Sequence, residues 1–482
     1  MIRQRQRAAA RAQGYGQARE INIPLPVKGV LVEANTAEVS GMYAGELKNW
    51  RSTGASLRLR SQHSLASNGD TALQRIAFEY GAAQQYLDVL SDRIEAGIDF
   101  TLRSFSAPLD VAFISSHAVM VDGNGAPVLF NGSRFSDGAF TTQTDLSADE
   151  FDGVIAHQDR LFFWKTADEL DFYYGEVGAI MGEVVRFPLG RLGNITGSII
   201  CLQSVTVDAG HGMNDTLAVF TTTGKIVAYE GLNPGDPQDW RLLTRISAAP
   251  PISKDAFLQV GADLWMLTAA GVVSVTQTIR DSSLALVNTV SRPIQEKLVA
   301  QIAEGGDWSM HLTADATGVI INRVFGGEAS QFIYRTDTKT WLETDYPAKA
   351  WHNIGLKTQF TALDGQLATL DDAGSFQITA RWVSSWFRLP RSGGITFLKP
   401  TIIAKGPLEV KVTLLSDHDA TGTDIAESEQ TVTIEPDNPA DPGGRVSLNE
   451  IIAVDAVGEV FQLQMEVTAE WAELVHLTAG VQ

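Results

Sequence analysis

Cysteine is almost missing from this 482-residue chain; Cys201 is the one present. Its solitude excludes an intramolecular disulfide framework and a thiolate metal cluster. It fits folding in a reducing compartment. Cys201 stands in the apolar run SIICLQSV, where a lone thiol reads as a small buried hydrophobe. Long apolar runs are missing too: none reaches the ~18–20 residues with which a helix crosses a bilayer. The N-terminal residues hold arginines but no apolar h-region, so no secretory leader is expected there.

Positive charge is scarce. Against 57 Asp and Glu stand 37 Lys and Arg, a net charge of −20. Residues 1–19 hold Arg3, Arg5, Arg7, Arg11 and Arg19 and no acid, which leaves 32 bases and 57 acids, or −25, on residues 20–482. A body this acidic repels nucleic acid. The basic arm reads either as a solvated tail or as a docking segment for an acidic partner.

Catalytic signatures are absent as well. The eight histidines form neither H-x-H nor H-E-x-x-H, and no G-x-S-x-G or G-x-x-x-x-G-K-[ST] occurs. VDGNGAP reads as a tight turn, since it lacks the rest of a calcium loop. The acids of DLSADEFD (145–152) read as a solvated loop. No catalytic residue, cofactor or metal ligand is therefore expected.

What the chain has in quantity is glycine, 43 residues, set between short alternating apolar runs. LAVFTTTGKIVAYEG (217–231) is echoed by LWMLTAAGVVSVTQ (264–277): each opens on Leu, with Thr four and Gly seven positions on. Used as a ruler, the pattern starts at 118, 161, 217, 264, 319 and near 358. Its turn residues are Gly125, Asp168, Gly224, Gly271, Gly326 and, in a tighter turn, Gly365. Periods of ~40–50 residues with alternating strands are the mark of β-propeller blades. Two copies place Tyr229 before Trp240 and Tyr334 before Trp341, which predicts a third strand, a turn and a fourth strand led by Trp, with the aromatics packing between blades.

These patterns predict an all-β protein of four parts. Residues 1–20 form a basic arm. Residues 21–108 form an extended arm and strands that pack on the propeller or a neighbouring subunit. Residues 109–378 form a propeller of about six blades. Residues 379–482 form a β-sandwich-like domain, with polar loops at 417–430 and 435–445. EVSGMYAGELKNW (38–50) allows one helical turn, and 71–97 reads equally as helix or strands. A helix is expected after Pro293, with Ile294, Leu298 and Ile302 on one face.

INIPLPVKGVLVEANTAEVSGMYAGELKNW (21–50) resembles the opening arm of the tail nozzle, or hub, proteins of short-tailed bacteriophages. These are also known as tail tubular protein B or packaged-DNA stabilisation proteins. Residues 217–279 resemble their central segment, and SRPIQEKL (291–298) is similar to their rim helix. PPIS lacks that family's usual Gly, and Ala262 intervenes between Gly261 and Asp263. The resemblance implies a non-enzymatic virion protein in a homohexameric ring. Its partners would be the adaptor ring of the head–tail connector and the tail fibres, spikes or needle. The ring would close the channel for double-stranded DNA, conduct it during ejection, and assemble in the bacterial cytoplasm. Carboxylates lining such a channel would let phosphates slide without sticking. Two other readings remain at this stage: a glycan-binding or glycoside-processing propeller, and a scaffold propeller for interactions.

Overall fold

The computed structural model describes residues 19–32, 41–65, 74–80, 83–90, 93–96, 99–100, 109–166, 170–208, 213–281, 289–371, 374, 376–417, 425–436 and 444–482. By contacts the chain divides into two compact units. One comprises Met1–Ser64, Ser330–Tyr346 and Leu370–Gln482; the other comprises Leu65–Ala329 and Pro347–Thr369. The expected lines at 20, 108 and 378 thus differ from the observed ones, which fall at 64 and 369, with 330–346 joining the first unit.

The second unit is a β-propeller. Its blades follow one another in the chain, and each of the first four is built on an antiparallel run of strands that are neighbours in sequence. The first blade is Asp110–Ile114, His117–Val121, Val128–Phe130 and Phe135–Asp137. The second is Gly153–His157, Arg160–Trp164, Asp171–Tyr174 and Gly182–Pro188, with Phe140–Thr142 added in parallel at its outer edge. The third is Ile199–Asp208, Met213–Thr221, Lys225–Glu230 and Arg241–Ser247. The fourth has three strands, Phe257–Val260, Asp263–Thr268 and Gly271–Ser274, and continues into the helix Val275–Asp281. The fifth contributes Asp307–Leu312 and Gly318–Phe325 to this unit. The sixth contributes Ala348–Ile354, Lys357–Ala362 and Leu367–Leu370.

The six starting positions of the sequence ruler all fall on the second strand of a blade, and its turns lie between second and third strands. Gly125, Gly224, Gly271, Gly326 and Gly365 all have positive φ, from +64° to +154°; Asp168 lies outside the described residues. Gly224, at φ +77°, also lies so close to the Ala248 carbonyl that any Cβ would collide with it. The recurring Thr has a local task. The Thr221 hydroxyl accepts from Lys225 N at 3.0 Å. The Thr268 hydroxyl accepts from Ala270 N at 3.1 Å and donates to the Gly271 carbonyl at 2.8 Å. Both hydroxyls are buried, so the turn itself satisfies them.

One sheet precedes the six. Gln74–Tyr80, Ala83–Val89, Ile94–Glu95 and Asp99–Phe100 form four antiparallel strands in the region that sequence left open between helix and strand. It shares an apolar cluster, including Phe78, Leu87, Met120 and Phe130, with the first blade. Its strand Gln74–Tyr80 packs against Ala348–Ile354 of the sixth blade. The circuit therefore passes through this sheet between the sixth blade and the first. Successive blades bury such clusters in turn, first against second around Phe151 and Phe163, and second against third around Phe162 and Trp240. Blade faces buried on both sides explain strands that read as near-continuous apolar runs. The expected helix is Gln295–Glu304, entered through the 3₁₀ turn Arg292–Ile294, and it buries Ile294 and Leu298 while Ile302 is half-buried.

The first unit is β-sandwich-like and its strands are long. Phe387–Lys405 pairs with Ile452–Ala469 and with Trp471–Val481. Ile452–Ala469 passes on to pair with Ile378–Ser384 and Leu408–Asp417. Along Leu408–Asp417 alternate residues Leu408, Val410, Val412 and Leu414 are fully buried, the period of a sheet with one face inward. The stretch expected to allow a helical turn contains instead the strand Ala44–Lys48, because Ile378–Ser384 offers its backbone a partner. Part of the polar loop expected at 417–430 is the strand Ile425–Ile434, paired along Leu408–Asp417. Residues 418–424 and 437–443 lie outside the described residues.

Candidate functional site

The innermost strands of a propeller surround its axis, where ligands and catalytic groups of such folds are sought. Here the first strands of the first, second and third blades pack on one another in sequence, as do those of the fourth, fifth and sixth. Charged and polar groups gather where these strands begin. Asp110 opens the first blade; its Oδ2 accepts from Val154 N of the second blade at 3.1 Å and its Oδ1 from Val111 N at 3.2 Å. Burial pushes its pKa up to about 6, Lys254 and the two amides oppose the rise, and Asp255 adds to it. Lys254 donates to the Asp152 carbonyl at 2.8 Å, which ties the approach to the fourth blade to the second. Asp255 is open to solvent yet surrounded by protein, and burial raises its pKa against the pull of Lys254. The Cys201 thiol lies within reach of these charges and is pushed far up, first by burial and then by Asp110.

The remaining polar groups of the interior also join one blade to the next. Gln74 exchanges two hydrogen bonds with the backbone of Leu109, at 2.7 and 3.2 Å. His157 Nδ1 meets Ser204 Oγ at 2.8 Å, and the Trp164 indole donates to the Ile200 carbonyl at 3.3 Å. The Asp255 carbonyl accepts from Met310 N at 3.3 Å. His311 Nε2 donates to Asn353 Oδ1 at 3.1 Å. Burial holds these histidines neutral: it lowers His157 to about 4 and lowers His311. His352 falls to about 3 by burial and the nearby Arg75. His157 and His311 act as ties between blades, whereas His352 meets Gln359 within the sixth blade. Among the described residues no set of three or more His, Cys, Asp or Glu is arranged to hold a metal.

Among the acids of 145–152, Glu150 and Asp152 are structural, while Asp145 and Asp149 are exposed. Ser147 and Glu150 form a capping box on the 3₁₀ turn Ala148–Glu150. Glu150 also pairs with Lys165 at 2.8 Å, and Asp152 accepts from the amide and hydroxyl of Thr166.

The residues singled out from sequence fall into three places. Tyr229 and Trp240 stack at 5.2 Å with 15° between their planes, and Phe162 and Phe187 of the second blade lie against them. They are the packing residues of a blade boundary. Tyr334 and Trp341 lie 5.1 Å apart in the sandwich-like unit, on paired strands. Arg19 begins the strand Arg19–Asn22, which pairs with Trp471–Val481; Arg3, Arg5, Arg7 and Arg11 lie outside the described residues. Sequence reasoning missed Asp110, Lys254 and Asp255. The available signal was a charged residue at the start of a blade's first strand, as in LDVAF and SKDAF.

No family model matches the chain, and no curated protein matches it. Among solved structures it is similar to the β-propeller domain of Cps50 (Swd1) from Myceliophteria thermophila, at 10% identity over 64% of this chain and 99% of that one, TM-score 0.42. It is also similar to BamB from Moraxella catarrhalis, at 10% identity over 65% and 97%, TM-score 0.36. The WD40 propeller domain of Doa1 follows at 9% identity over 66% and 97%, TM-score 0.37. At such scores these likenesses carry no argument about function, and the propeller stands on its own strand order.

Proposed function

We propose that the protein is a structural subunit of a phage tail nozzle, assembled as a ring around a DNA channel. The observation that carries this reading is the use made of the propeller's interior polar groups: Asp110, Lys254, His157 and His311 are each engaged in a bond from one blade to another. A propeller tied in this way is suited to bearing load as a rigid body. The nozzle-like segments, 21–50 and 217–279 with 291–298, support it, since the described residues of both supply framework. Ile23 N donates to the Leu477 carbonyl, and the latter segment supplies blade strands followed by the helix Gln295–Glu304. The net charge of −20 per chain suits a conduit that must not hold phosphates.

The test is to image the purified full-length protein by negative-stain microscopy. Rings of about six copies with an axial opening are expected. A monodisperse monomer that hydrolyses or retains glycans would overturn the reading in favour of a carbohydrate-active propeller.

A further inference from the structure

One face of the propeller carries the turns between first and second strands and those between third and fourth. Over three consecutive elements of this face the loops are bound to one another. Ser115 Oγ donates to the Gly178 carbonyl at 3.3 Å, and Gly178 N donates to the Asp159 carbonyl at 2.6 Å. The buried Arg160 donates from Nε to the Leu232 carbonyl at 3.0 Å and from Nη1 to the Gly175 carbonyl at 2.8 Å. The first, second and third blades thus present one continuous surface. On it Val177 and Leu232 are 60% and 58% exposed, with Met181 close in the chain at 46%. Bulky apolar side chains exposed on one continuous surface offer area that a partner can bury.

Around Val177 and Leu232 the surface is also acidic, while Arg134 is exposed in the first blade's third-to-fourth turn. Asp159, Glu176 and Asp236 are exposed around the two apolar side chains. Arg160 lies 3.8 Å from Glu176, but its guanidinium is buried and engaged by backbone carbonyls. Arg241, nearby, is paired with Glu230 at 3.5 Å.

We infer that this face receives the basic segment 1–18 of a second copy of the chain. The segment has the complementary character: Arg3, Arg5, Arg7 and Arg11 without an acid, interspersed with Ile2, the Ala8–Ala10 run and Tyr15. Opposite charges steer the encounter and fix its register, and the apolar side chains contribute the burial. The segment joins the body at Arg19, at the start of an edge strand whose residues are mostly exposed. Eighteen residues extend to about 60 Å. The inference rests on the ring-forming reading above and names the contact that would link adjacent copies.

The experiment uses the full chain with a photo-crosslinking p-benzoylphenylalanine in place of Tyr15. Irradiation is expected to give a dimer-sized adduct on a denaturing gel, mapped by mass spectrometry to 158–160, 175–181 or 231–236. Combined Asp159→Lys, Glu176→Lys and Asp236→Lys should cut its yield at least fivefold. Arg3→Glu, Arg5→Glu and Arg7→Glu should do the same. Joining both sets should restore the adduct. No dimer-sized adduct, an adduct mapped elsewhere, or a yield indifferent to either set overturns the inference. Rings that form without the adduct overturn the docking contact alone. The adduct in an assembly that is not a ring overturns the nozzle reading and leaves the contact standing.

Discussion

The two units bury apolar strands by different routes through the chain. In the propeller the sheets of the first four blades are made from residues that are neighbours in sequence, and each apolar cluster joins one sheet to the next. In the sandwich-like unit partners come from far apart. Arg19–Asn22 pairs with Trp471–Val481, and Leu57–Leu59 pairs with the same strand. Arg60 lies 3.9 Å over the Tyr346 ring, reaches Asp345 at 3.4 Å and donates to Asn49 at 3.0 Å. The first arrangement behaves as a chain of nearest-neighbour interfaces. The second closes as a whole or not at all, since its loops must be closed before the contacts reward them.

The largest expected effect tests that difference directly. Both units lay an aromatic ring over a glycine on the paired strand, Trp164 over Gly153 and Phe397 over Gly480. Trp164→Ala and Phe397→Ala should each cost about 3–5 kcal/mol. Hydrogen exchange should show the first loss confined to the second and third blades and the second spread over the whole sandwich-like unit. Uniform loss of protection across all blades in Trp164→Ala would break the comparison.

Acid gives a smaller effect with a sign to check. A histidine held below its ordinary pKa of 6.5 by burial contributes stability that is present above 6.5 and lost as pH falls. At pH 5 His157 and His352, held at about 4 and about 3, should each cost the propeller about 2 kcal/mol. Asp110, raised to about 6, works the other way and returns part of this as it takes up its proton. In the sandwich-like unit burial lowers His63. Burial alone would raise Asp345, but Lys48 and Arg60 hold it below the usual carboxylate range, so its contribution persists until pH falls under about 4. Local melting of the propeller should therefore precede that of the other unit between pH 7 and 5. His352→Gln should flatten the propeller's profile; an unchanged profile would sink the assignment.

The smallest effect sharpens the repeat itself. Gly326, at φ +64°, faces open space, so Gly326→Ala should cost about 1–2 kcal/mol for the backbone alone. Gly224→Ala meets the Ala248 carbonyl as well and should cost more. Equal thermal shifts for the pair would mean that the close approach does not matter.

The propeller was legible because its code is local. The Leu–Thr–Gly spacing reports a strand and the turn that ends it, and both are settled within ten residues. The sheet Gln74–Phe100 escaped because Tyr86, Val89, Leu90 and Ile94 satisfy helical spacing as well as a hairpin. Strand pairing, Gln74–Tyr80 against Ala83–Val89, decided between them. The place of 330–346 was illegible for a stronger reason: contacts such as Arg60 with Asp345 leave no trace in either segment alone. Asp110, Lys254 and Asp255 were missed because a single charged residue at a strand start resembles any other until neighbouring blades are placed.

The pairing of Arg19–Asn22 with Trp471–Val481 also sets an order of events on the ribosome. Residues up to 64 emerge well before the other segments of their unit, which begin at 330 and 370. At about 5–20 residues per second, roughly 15–60 s pass while the propeller is made between them. The opening segment spends that interval without its partner strands. The blades can form meanwhile, and Trp471–Val481, made long after Arg19–Asn22, is the strand that seats it.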